Sequence, residues 1–90
     1  METFLRQNGF TDLEIIIIRW QLNDFGHFYK ALMEAVSLAD AKNTERIRRG
    51  FPDHVKAMEK FRTIAPDGEL DFYGEIATKL DKYPKFAGRF

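Results

Sequence analysis

The sequence predicts an all-α fold, a small helical bundle with one long N-terminal helix and two or three shorter helices. Three observations predict it. Thr11 and Glu14 have the spacing of a capping box, an apolar stripe of helical period continues from them, and Pro and Gly divide the rest of the chain into short helical segments. Ninety residues suffice for one hydrophobic core, so residues 1–90 are read as a single domain.

The first helix is expected to start at Thr11, with Asn8 and Gly9 supplying the turn before it. Phe10 before the cap and Ile15 after it suit a hydrophobic staple. From there Ile15, Ile18, Leu22, Phe25, Tyr29, Leu32, Val36 and Ala39 recur in steps of three and four, which predicts a helix over Asp12 to Ala39. Gly26 falls inside it, at a cost of about 1 kcal/mol relative to Ala. Such a helix would be about 42 Å long at about 1.5 Å per residue. A compact chain of this size has a diameter of about 30 Å, so the helix would overhang its own domain. Ile16, Ile17, Trp20 and Phe28 lie outside the main stripe and extend the apolar surface around the helix. They are therefore assigned to a subunit interface, and a homo-oligomer is expected.

Asp40 and Asn43 offer capping oxygens to a short helical turn over Thr44 to Arg49, which Gly50 stops. Pro52 suits the first position of the next helix, where its missing N–H is not needed. That helix is expected to reach Ile64, with Val55, Met58, Phe61 and Ile64 inward. Ala65-Pro66-Asp67-Gly68 reads as a turn, and a last helix follows from Asp71 to Lys82, ended by Pro84. The tail from Lys85 to Phe90 carries Phe86 and Phe90, and the pattern leaves open whether it docks or stays loose.

Charge narrows the function classes. Fourteen basic side chains balance fourteen acidic ones, which leaves no strong overall field toward nucleic acid or membrane. The local balance is uneven: residues 42–65 hold seven basic and three acidic side chains. Lys42, Arg46, Arg48 and Arg49 are the candidate binding residues, since guanidinium forks suit phosphates and carboxylates. Arg46 and Arg49 share a helix face and Arg48 points elsewhere. The competing reading is a solvated turn whose arginines pair with Glu45 and Asp40.

Little in the chain suggests catalysis. Absence of Cys removes disulfides, thiolate metal sites and thiol nucleophiles. His27 follows Asp24 and His54 adjoins Asp53, without a third partner or HExxH spacing, so both read as surface or cap histidines rather than metal ligands. Ser37, the only serine, has no GxSxG setting, and phosphate-binding glycine motifs are missing. No catalytic residue, cofactor or metal is expected. The apolar run Ile15–Ile18 is far too short to span a bilayer, and Met1 to Phe10 lacks the features of a secretory signal, so a cytoplasmic location is expected. A short helix, a glycine and a second helix also suggest a helix-turn-helix, which whole-chain neutrality disfavours.

Ala39-Asp40, Asn43, Ile47, Gly50-Phe51-Pro52 and Val55 together resemble a stretch of small uncharacterised proteins of bacteriophages and mobile elements. The resemblance covers about twenty residues and implies that the protein binds a host or defence component and blocks it. The leading expectation is thus a non-enzymatic interaction protein, a phage-type inhibitor with a protein partner. The alternative is an oligomer that sequesters a small anionic ligand such as a nucleotide, in a pocket built from Arg46, Arg48, Arg49 and aromatics. A helix-turn-helix nucleic-acid binder is third.

Overall fold

The computed structural model describes residues 1–86 and 88–90, and these form six α-helices and one 3-10 turn, with no strand among the described residues. The all-α expectation holds, but the long N-terminal helix is absent. In its place stand α1 (Glu2–Gln7), α2 (Asp12–Gln21) and α3 (His27–Leu38).

The break has a local cause at Asn23. This residue adopts φ +55°, in the left-handed region that Asn tolerates better than most side chains. The Asn23 N–H donates to the Trp20 carbonyl at 3.1 Å and the Asp24 N–H to the Arg19 carbonyl at 2.7 Å. That pair of bonds is a Schellman motif, and it terminates α2. Gly26 is extended, at φ −66° and ψ 168°, and serves as the N-cap of α3 rather than as a helix interior residue. The same motif ends α1, where Gly9 has φ +85°, its N–H donates to Arg6, and the Phe10 N–H donates to Leu5. Glu2 and Arg6, an i,i+4 ion pair of 3.1 Å, support this first helix, which the sequence pattern does not predict.

The capping box forms as the spacing predicts: the Glu14 N–H donates to the Thr11 hydroxyl and the Thr11 N–H to the Glu14 carboxylate. Asp40 caps α4 (Ala41–Gly50), accepting from the Asn43 N–H at 2.8 Å, and the helix is longer than the single turn expected. Pro52 opens α5 (Pro52–Arg62), and Asp71 caps α6 (Phe72–Leu80) through the Gly74 N–H. α5 stops two residues short of Ile64, because Thr63 turns extended; Ile64 is 90% exposed instead of inward.

α5 is the central helix, packed against α2, α3, α4 and α6, while α1 lies on α2. Helices therefore approach α2 from more than one side, and Ile15, Ile16, Ile17 and Ile18 are all buried within the chain. The molecule measures 40 × 34 × 20 Å. The tail docks: Phe86 is buried near α1, its ring 5.9 Å from Phe4, and Phe90 stacks on Tyr73 at 4.5 Å. No helix of the described residues is long and apolar enough to cross a membrane.

Candidate binding surfaces

α4 owes its position to one apolar side chain and one ion pair. Ile47 packs against the core, and Arg48 reaches α5, where two of its N–H groups donate to the two oxygens of Glu59 at 2.9 and 2.8 Å. The Arg48 Nε also donates to Glu45 at 3.0 Å. These carboxylates hold the guanidinium charged, Glu59 foremost, and Arg48 in turn holds the Glu59 carboxyl below its usual range. Arg48 is thus a clamp between α4 and α5, occupied by two carboxylates.

The other three predicted binding residues behave differently. Lys42, Arg46 and Arg49 stand at i, i+4 and i+7, so they share one face of α4, and all three are exposed. Arg46 donates to the Asn43 side chain at 3.1 Å, and none of the three pairs with a carboxylate among the described residues. Asp40, the other acid offered as a neutralising partner, accepts from the Asn43 N–H as the helix cap. The structure therefore divides the basic cluster into one engaged arginine and a stripe of three free cations.

The four residues assigned to a subunit interface are also divided. Ile16 and Ile17 are buried in the chain's own core, and Trp20 packs edge-on against Phe61 with ring centroids 5.3 Å apart. Short helices explain the correction: a kinked path lets α1 and α5 cover what a straight helix would have left bare. Phe28 alone stays open, 60% exposed, at the edge of an aromatic cluster with Tyr29 and Phe51.

A cleft of ≈ 470 Å³ opens where α1, α2, α3 and α5 meet. Ile15 and Ile16 form its apolar floor, Phe25, Tyr29 and His54 a wall, and Glu2, Asp12, Asp53, Arg6 and Arg19 its charged lining. Arg46, Arg48 and Arg49 take no part in it, so the anionic pocket expected from those arginines is not this one. Tyr29 and His54 are stacked, 5.2 Å apart and 12° from parallel. Burial pushes the His54 imidazolium below its ordinary range, opposed by the neighbouring Asp53. In the sequence Asp53 and His54 are only neighbours. Their partners Phe25 and Tyr29 come from a segment some twenty-five residues earlier, which no spacing rule connects to α5.

His27 is exposed at the start of α3, apart from this cleft. Among the described residues no group of three or more His, Cys, Asp or Glu could hold a metal ion. The joint between α4 and α5 is the single residue Phe51, whereas a helix-turn-helix uses a turn of about three to four residues. The chain matches no protein-family model, no curated protein and no solved structure.

Proposed function

We propose that this is a non-enzymatic interaction protein that acts in the cytoplasm, binds an acidic surface of a partner protein through the Lys42, Arg46 and Arg49 face of α4, and blocks that surface as a phage-type inhibitor does. The observation that carries the reading is the sorting of charges on α4. Arg48 is consumed by Glu45 and Glu59, while three cations on the solvent side have no carboxylate partner among the described residues. Guanidinium groups held on a regular helix lose less freedom on binding than groups on a loop, which favours docking onto carboxylates. The segment that resembles phage and mobile-element proteins, Ala39 to Val55, spans this helix and its joint with α5.

The test is affinity purification from the natural host followed by mass spectrometry, with the wild type beside the triple variant Lys42→Gln, Arg46→Gln and Arg49→Gln. A partner protein should be recovered with the wild type and be depleted at least about tenfold with the variant, whose melting temperature should hardly change because exposed charges contribute about 0–1 kcal/mol. Arg48→Gln should retain the partner. Equal recovery with the triple variant overturns the reading, and a retained nucleotide in place of a protein assigns the same face to a small anion.

Self-association is a second reading, and one observation favours it. Leu38 is 78% exposed and Ile64 90% exposed. Arg62 donates to the Ser37 carbonyl, which ties the end of α3, where Leu38 stands, to the end of α5, two residues before Ile64.

A further inference from the structure

We infer that the cleft between α1, α2, α3 and α5 is a binding site for a compact organic cation, an alkylammonium or guanidinium group on an apolar stem. The sign of the ligand follows from which charges in the cleft are already used. Arg6 is held by Glu2 and Asp12. Arg19 is held by Glu2 at 3.4 Å, by the Asp24 carboxylate at 3.6 Å and by the Asp24 carbonyl at 3.2 Å. Both guanidiniums thus face carboxylates, although the Arg19 Nε is buried without a hydrogen bond of its own. Asp53, by contrast, has no cationic partner among the described residues, and the lining holds three carboxylates against two cations.

The walls agree with that sign. Ring faces attract cations through the negative side of their quadrupole, and the attraction is stronger where water is excluded. This cleft already shows the interaction with one of the chain's own charges, since the Arg19 guanidinium stands 5.2 Å over the Phe25 ring. Tyr29 and the stacked His54 offer further aromatic surface beside Asp53. Ile15 and Ile16 at the floor can take the apolar stem. The site is separate from the face of α4 and stands whether or not that face binds an acidic partner.

The experiment is an amide-resolved NMR titration of the isotope-labelled protein at constant ionic strength, with three probes: n-butylammonium chloride, a capped Gly-Gly-Lys-Gly-Gly peptide, and sodium benzoate. The cationic probes should move the amides of Phe25, Tyr29, Asp53 and His54 and leave those of Arg46 and Arg49 in place. Asp53→Asn and Tyr29→Leu, both at exposed positions, should each weaken the affinity by about fivefold or more. Asp67→Asn and the triple α4 variant should leave it unchanged. Binding of butylammonium without the peptide assigns the site to a free amine, and tighter binding of the peptide assigns it to a basic side chain of a protein. The inference is overturned if neither cation moves the cleft amides, or if benzoate moves them more strongly.

Discussion

Glu14 sits where two distant parts of the chain meet. Its carboxylate closes the capping box of α2, accepting from the Thr11 N–H at 2.8 Å, and also accepts from the Lys79 ammonium of α6 at 2.7 Å. Lys79 is further placed by the Gly9 carbonyl at 3.1 Å and by the Phe10 ring below it. Burial alone would push the Glu14 carboxyl up, but Lys79 and Thr11 outweigh it and hold the group below its ordinary value of 4.5. A carboxyl depressed on folding contributes stability that is present above its unfolded value and is lost as pH falls through the folded one. Glu14→Gln should therefore lower stability to urea by about 1–3 kcal/mol at neutral pH. The gap between wild type and variant should close as pH falls below 4.5. A gap that persists undiminished at pH 2 would show that the loss is one of packing and not of charge.

Helix ends, more than helix interiors, set the path of this chain. α1 and α2 finish in the same hydrogen-bonded motif, with Gly9 and Asn23 at its left-handed position. Asn23 is the less permissive of the two and is the element on which the separation of α2 from α3 turns. Asn23→Gly should keep or slightly raise the melting temperature, since glycine reaches this conformation freely. Asn23→Val should lower stability by about 1–2 kcal/mol, because a β-branched side chain is disfavoured in the left-handed region that asparagine tolerates. Equal stability of the two variants would mean that α2 and α3 separate for another reason.

Taken whole, the chain wraps its apolar residues around α5 and leaves Leu38 and Ile64 uncovered at the ends of α3 and α5, which Arg62 ties together. Burying such side chains in a symmetric contact is favourable by about 1.5–3 kcal/mol each before the cost of association. Light scattering coupled to gel filtration should show a mass above that of one chain at high protein concentration, and Leu38→Ser with Ile64→Ser should return it to the monomer. A monomer at every concentration would end the self-association reading. Ile16, Ile17 and Trp20 take no part in such a contact, because the chain covers these residues itself.

Features that depend on one turn of chain were legible from residue order. Thr11 with Glu14 and Pro52 at the start of α5 occupy the places their local chemistry predicts, since a cap needs only groups three residues apart; of the two capping oxygens offered by Asp40 and Asn43, Asp40 is the one that caps, and Asp71 caps α6 from one residue outside the helix expected to begin there. The common face of Arg46 and Arg49 was legible for the same reason, being a consequence of helical period alone. Asn23 was not, because asparagine is compatible with both a helix interior and a left-handed cap, and its neighbours kept the apolar period across the break. Which side of the four isoleucines is covered, which arginine of α4 meets a carboxylate, and that Tyr29 stacks on His54 depend on segments about eleven to fifty residues apart. Local order determines where this chain can begin and end a helix; the packing of those helices around α5 determines which charges remain free.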